Sequence, residues 1–254
     1  MKIGISSSVF LDSNANLKDT LDFLEKKVNF VELVCDGNIN IMEQKNIDIS
    51  YNYDLNYTIH CPLTDISLSS YREKVRKFSI SYVKDIIKVA NKVDAKLIVL
   101  HPGHNIFKYD YDKSLNSLIK SLNDLNMLQN EYGIKITIEN MPSYDMFMFR
   151  SPIEEIISNL GDLGITFDVG HSFLNNNIEE FLDKNIVDKI SHIHIHDNNS
   201  EYDEHLCIGD GKIDFKKYQN KLSGINCITM IELQNKNIEH IDKCISNLKK
   251  LYDL

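Results

Sequence analysis

Arginine is nearly missing from this 254-residue chain: there are three, Arg72, Arg76 and Arg150, and lysine does not make up the difference. Lys and Arg together number 28 against 37 Asp and Glu, a net charge of −9. That balance argues against a protein held on nucleic acid or an acidic membrane by bulk charge. Also lacking is any apolar run near the roughly 18 residues needed to cross a bilayer. The opening Met1-Lys2-Ile3-Gly4-Ile5 reads as a strand with no signal-peptide core, so a cytoplasmic location is expected. The five cysteines (Cys35, Cys61, Cys207, Cys227, Cys244) are scattered and form no C-x-x-C pair. Neither a disulfide framework nor a zinc ribbon is expected of them, and they read as reduced, small apolar residues. With only 4 Pro and 10 Gly, no linker divides the chain, and a single domain over residues 1–254 is expected.

What the chain does have is a repeated alternation. Short β-branched runs ending in a polar residue are each followed by an amphipathic helical stretch. The predicted strands are residues 2–6, 30–33, 57–60, 96–101, 135–139, 165–168, 191–196 and 227–232. Helical spacing appears in Val75, Phe78, Tyr82, Val83, Ile86, Ile87 and Ala90, and again in Leu115, Leu118, Ile119, Leu122 and Leu125. A last helix carries Ile238, Ile241, Ile245 and Leu248, while the segment at 41–46 has the weakest helical pattern. Eight βα units in about 250 residues is the size of a (β/α)8 TIM barrel. A doubly wound sheet should show a Gly-rich phosphate loop after its first strand, and Ser6-Ser7-Ser8-Val9-Phe10 is not one.

The chemistry lies in how the strands end. Strand three ends in His60, strand four in His101, strand five in Glu139, strand six in Asp168 and strand eight in Glu232. Strand seven carries His192, His194 and His196 and runs into Asp197. In a parallel barrel the C-terminal strand ends converge on one mouth, so these side chains share a centre. Imidazoles and carboxylates gathered there suit a borderline divalent metal such as zinc, or manganese where oxygen ligands dominate. An apolar core has no use for such residues, and a buried carboxylate without a partner is costly. Alternation places the three strand-seven histidines on one face, so spacing does not choose among them. Two further clusters sit in loops: His171, and Asp203-Glu204-His205 ahead of Gly209-Asp210-Gly211.

The order H…HPG…EN…D-x-x-H…H-x-x-D…D-x-H-x-x-x-G-x-G…E, running from His60 to Glu232, resembles the endonuclease IV branch (AP endonuclease family 2) of the xylose isomerase-like TIM-barrel superfamily. The resemblance implies up to three metals. One would be held by His60, His101 and Glu139; a second by a bridging Glu139 with Asp168, His194 and Glu232; a third by His171, Asp203 and His205. The H-x-x-D spacing then favours His194 over His192 and His196 and makes Asp197 an outer partner. The implied reaction is metal-dependent phosphodiester hydrolysis at abasic sites in DNA, for which clustered metals provide a direct rationale.

The loops differ from that branch. The loop at Cys35-Asp36-Gly37-Asn38-Ile39-Asn40 has no Arg or aromatic to wedge into a duplex, and no Gly-Gly follows strand one. After Glu139 the run from Met141 to Arg150 reads as an apolar lid or as packing, with Tyr144 or Phe147 able to stack on a base or sugar. The alternative is a sugar or sugar-phosphate isomerase or epimerase. There one metal on Glu139, Asp168, His194 and Glu232 would polarise the substrate, and Glu139 and Glu232 would act as the acid–base pair. That branch usually has an Arg near its Gly-x-Gly loop, where this chain has Asp203 and His205. The residues favour the phosphoesterase, with abasic-site DNA or a small phosphorylated sugar as partner. The nine ligand positions hold only four formal negatives. Three divalent ions would leave the mouth at about +2 and the chain at about −3.

Overall fold

The computed structural model describes residues 2–143 and 146–252. Eight strands, β1 (Lys2–Ser6), β2 (Phe30–Val34), β3 (Asn56–His60), β4 (Leu97–Leu100), β5 (Lys135–Glu139), β6 (Gly164–Asp168), β7 (Ile190–Ile195) and β8 (Ile228–Ile231), form a closed barrel in sequence order. Every pairing is parallel, and β1 closes the barrel by pairing with both β2 and β8. Each strand lies within one residue of its predicted ends. The barrel is the expected one, and the doubly wound alternative is excluded.

The helices are α1 (Leu17–Leu24), α2 (Gln44–Ser50), α3 (Glu73–Lys92), α4 (Tyr111–Tyr132), α5 (Glu154–Ile157), α6 (Val169–Leu174), α7 (Ile178–Phe181), α8 (Phe215–Ser223) and α9 (Ile241–Leu251). The weak pattern at 41–46 becomes the short α2, and Ile238 falls in a 3-10 turn ahead of α9. Asn16 caps α1 reciprocally with Asp19, and Gly133, at φ 69°, ends α4 where a side chain would strain the left-handed turn. No helix among the described residues is long and apolar enough to cross a membrane.

The apolar stripe of α3 divides in two. Val83, Ile86, Ile87 and Ala90 are fully buried against the barrel, whereas Val75 and Phe78 are exposed. A 20-residue helix is about 30 Å long, but β3 and β4 span only about 17 Å or less, so the first turns overhang the sheet. Arg76 holds that overhang: it is buried and bonds Glu73, Asp124 and Ser121, tying α3 to α4.

Strand alternation decides what enters the lumen. Val31 and Leu33 belong to the apolar layer beneath the helices, while Glu32 between them meets Thr58 of β3. Thr137 and Thr166 meet in the same way, Oγ1 to Oγ1 at 2.7 Å. The lumen is therefore polar well below its mouth, and these threonines sit two residues before His60, Glu139 and Asp168.

Candidate metal centre

His60, Glu139 and Asp168 are the last residues of β3, β5 and β6, and His101 and Glu232 lie one residue beyond β4 and β8. His192 and His194 are on β7 and His196 follows it; Asp203 and His205 come from the loop after β7, and His171 from α6. The structure brings all nine expected positions into one mouth. Glu139 is the hub. Its Oε2 lies 3.3 Å from His60 Nε2 and 3.5 Å from His101 Nε2, and its Oε1 lies 3.4 Å from Nδ1 of both His171 and His194. His194 Nδ1 is also 3.4 Å from Glu232 Oε2 and 4.0 Å from Asp168 Oδ2. Asp203 Oδ2 is 3.1 Å from Nε2 of both His171 and His205, and His205 Nδ1 is 3.8 Å from Glu232 Oε2.

These residues fit divalent cations. Four groups of donors lie close enough to surround an ion: His60, His101 and Glu139; Glu139, Asp168, His194 and Glu232; His171, His196, Asp203 and His205; and Glu32, His192 and His194. Charge-assisted hydrogen bonds run at about 2.7–2.9 Å, and the contacts around Glu139 and His194 are longer. Tetrahedral donors at about 2.0–2.1 Å from zinc sit about 3.3 Å apart, close to what is observed. His194 Nδ1 and Asp168 Oδ2 are fully buried and have no hydrogen-bond partner. With its Nε2–H given to Glu32, a neutral His194 turns a bare lone pair toward three carboxylates. A cation between them relieves that repulsion.

Outer contacts set the ring orientations. His60 Nδ1 meets the Cys61 carbonyl at 2.7 Å and His171 Nδ1 meets the Asn140 carbonyl at 2.9 Å, leaving each Nε2 for the mouth. Backbone carbonyls are among the usual partners on the far nitrogen of metal-ligating histidines. Asp168 caps α6 by accepting the His171 N–H at 2.6 Å, so its Oδ1 is committed and Oδ2 faces the cluster. Asn140 bonds the Asp168 backbone in both directions, at 2.8 and 2.9 Å, fixing β5 to β6 at this height.

Glu32 is the residue that reading the strand ends missed. It is fully buried on β2, 3.2 Å from Nε2 of both His192 and His194, and accepts from Thr58 Oγ1 at 3.1 Å. Its signal in the sequence was an acid in the middle of Phe-Val-Glu-Leu-Val, away from the strand end. Asp197 needs correction. Its carboxylate accepts backbone N–H groups of Asn198, Gly209, Gly211 and Ile213, and a side chain at Gly211 would overlap it. Asp197 thus organises the Gly-x-Gly loop, and the carboxylate behind His194 is Glu32.

Without cations the mouth is a set of opposed charges. Burial alone would lower the His60 pKa, but the hydrogen bond and charge of Glu139 outweigh it and raise it to about 9. His205 also goes to about 9 against its burial, through Asp203. His171 and His194 are raised well above the ordinary value by neighbouring carboxylates in spite of burial. Conversely Glu32, Glu139 and Asp203 overcome burial and lie well below the ordinary carboxylate range because of facing imidazoles. His192 is lowered, chiefly by burial.

A cleft of about 610 Å³ opens over the centre, walled by Leu11, Leu63, Met141, Pro142, Phe147 and Leu233. No lysine or arginine is among the described residues that line it. The run from Met141 to Arg150 divides: Met141, Met148 and Phe149 are buried as packing, while Phe147 faces the cleft with its ring 5.0 Å from that of His104. Tyr144 lies outside the described residues.

Known proteins agree with this architecture. An uncharacterised protein of Methanocaldococcus jannaschii is 64% identical over 251 residues, covering 99% of each chain. A probable endonuclease 4 of Staphylococcus aureus is 26% identical over 191 residues, 67% of this chain and 63% of that one. The crystal structure of a D-tagatose 3-epimerase-like protein superposes with a TM-score of 0.86 at 29% identity, covering 100% of this chain and 97% of its own. The family model of the xylose isomerase-like TIM barrel matches residues 31–252, and the chain belongs to that family.

Proposed function

We propose that the protein is a metal-dependent phosphoesterase whose substrate is a small phosphorylated, sugar-type molecule. The observation that carries this reading is the sharing of Glu139: one oxygen faces His60 and His101, the other faces His194. Adjacent cations on one carboxylate are the arrangement that phosphoryl displacement uses, and a single-metal sugar reaction has no need of it. His60, His101 and Glu139 would hold one ion; Glu139, Asp168, His194 and Glu232 a second; His171, Asp203 and His205 a third. Mixed imidazole and carboxylate donors suit zinc, with manganese next. When bound, such ions supply Lewis-acid stabilisation of phosphoryl charge and activation of water. The chain's own part is to orient the donors through Glu32, Asn140 and the Cys61 carbonyl and to wall the cleft with apolar side chains. The similarity to the probable endonuclease 4 supports the reaction class. Among the described residues lining the cleft there is no lysine or arginine to grip a duplex backbone, which supports a small substrate over abasic-site DNA.

A sugar epimerase is the second reading. Glu139 and Glu232 both stand 3.4 Å from His194 Nδ1, as an acid–base pair flanking one metal would, and the likeness to the D-tagatose 3-epimerase-like protein points the same way.

The test is a side-by-side assay of zinc- or manganese-loaded protein on sugar phosphates, on abasic-site duplex DNA, and on ketoses in deuterated water. Phosphate release that falls about 100-fold or more in Glu139→Gln is expected. Incision of abasic DNA alone would overturn the small substrate but keep the reaction class. Deuterium entering a ketose with no phosphoester cleaved would establish the epimerase instead.

A further inference from the structure

Three imidazoles converge on Asp203, one more than the sequence motif provides. His171 and His205 present Nε2 to its Oδ2 at 3.1 Å, and His196 presents Nε2 to its Oδ1 at 3.5 Å. His196 is fully buried, and its Nε2 has no hydrogen-bond partner, although Asp168 Oδ1 is 3.2 Å away. Its position is built: the ring lies parallel to that of His205, centroids 4.0 Å apart, over the backbone of Gly170, where any side chain would overlap it. His171 gives its Nδ1–H to the Asn140 carbonyl, so in the neutral ring the Nε2 turned to Asp203 Oδ2 is a lone pair available to a cation. Three imidazole nitrogens and one carboxylate, drawn from α6, the end of β7 and the loop beyond, are a complete donor set for a tetrahedral divalent cation.

We propose that His196 joins His171, Asp203 and His205 in a zinc-type site closed by four protein ligands, whose ion fastens the loop after β7 to α6 and takes no part in binding substrate. This rests on the metal-centre reading above and divides its sites. A site with four protein donors leaves no position for a substrate, as in structural zinc sites, even though His171, Asp203 and His205 border the cleft; His60, His101 and Glu139, which border it too, are only three donors. Substrate therefore meets the ion held by those three. Of the two four-donor groups, only His171, His196, Asp203 and His205 combine three imidazoles with a carboxylate shared with no other ion, so their zinc ion is the most firmly retained.

The experiment reads metal alone. Full-length protein is loaded with zinc, its equivalents are counted by elemental analysis, and stepwise release to a chromophoric chelator is followed for wild type, His196→Asn and Gly170→Ala, with His240→Asn as a surface control. In wild type one equivalent should leave last. In His196→Asn and in Gly170→Ala, which displaces the ring without deleting a ligand, that equivalent should bind at least about 100-fold more weakly, beyond the loss typical of an outer partner. The earlier equivalents should be unchanged. Circular dichroism of the metal-free variants verifies that they are folded, and either folded variant suffices. If folded His196→Asn or Gly170→Ala keeps every equivalent at wild-type affinity, the closed site is overturned while the metal centre stands. If wild type binds no divalent metal, the metal-centre reading fails, and this inference with it.

Discussion

Replacing Glu32 by glutamine tests whether the centre is organised from beneath. Three donors converge on this buried carboxylate: Nε2 of His192 and His194 and the hydroxyl of Thr58. A carboxylate can accept all three, because it offers about four lone-pair sites and no hydrogen. The amide of glutamine keeps the shape but offers one acceptor oxygen and an NH2, so at least one imidazole N–H meets another donor. Losing one hydrogen bond to a charged group is worth about 1.5–3 kcal/mol. If that loss falls on His194, its Nδ1 is no longer held as a lone pair facing Glu139, Glu232 and Asp168. Affinity for the ion on those residues should then drop about 10–100-fold, the usual cost of an outer partner. Zinc titration with chelator competition would show one equivalent weakened by this amount and the others unaltered. Equal affinity in Glu32→Gln and wild type would refute the reasoning, and equal weakening of all sites would show that the residue supports only the barrel.

Two further outcomes follow from the same contacts. His60 and His205 have pKa values raised from 6.5 to about 9 in the metal-free protein, so protonation there stabilises the fold fully below about pH 6.5 and is lost as pH rises through 9. Melting scans in chelator should therefore show falling stability across that window, while zinc affinity rises because fewer protons must be displaced; a flat metal-free profile would contradict this. Arg76→Ala should lower stability by about 2 kcal/mol in denaturant titration, since it removes a buried guanidinium bonded to two carboxylates, both half-exposed and partly rehydrated by water. Cation stoichiometry should not change, because Arg76 ties α3 to α4 away from the mouth.

The barrel was legible because each buried parallel strand is a short β-branched run that stops at a polar residue, and both marks are local. The same locality put His60, His101, Glu139, Asp168 and Glu232 at one mouth. It did not distinguish His192, His194 and His196, since alternation gives all three the same face. What distinguishes them is non-local: Glu32 on β2 stands behind His192 and His194, and Gly170 on α6 opens the place for His196. Asp197 was misassigned for a related reason. Its spacing from His194 suits an outer partner, but four backbone N–H groups of the folded loop claim its oxygens first. In α3, periodicity marked Val75 and Phe78 as core because a pattern carries no information on where the sheet beneath it ends.

Glu32 also changes the charge argument. Counting only residues expected to touch metal gives four negatives at the mouth, and three divalent ions would leave about +2; adding the buried Glu32 carboxylate brings the remainder to about +1. No lysine or arginine among the described residues of the cleft adds to it. On the proposed reading, attraction for phosphate comes from the ions themselves and should be lost when they are removed, unlike a basic groove, which holds a polyanion whether or not metal is bound. With three ions bound the chain as a whole would stay at about −3, so it would repel the many phosphates of a duplex at longer range while the ions attract a single phosphoryl group at the mouth. The scarcity of arginine and the density of histidine thus support the proposed small phosphorylated substrate, whose binding is expected to require the loaded centre; phosphate-ester binding by metal-free protein would contradict it.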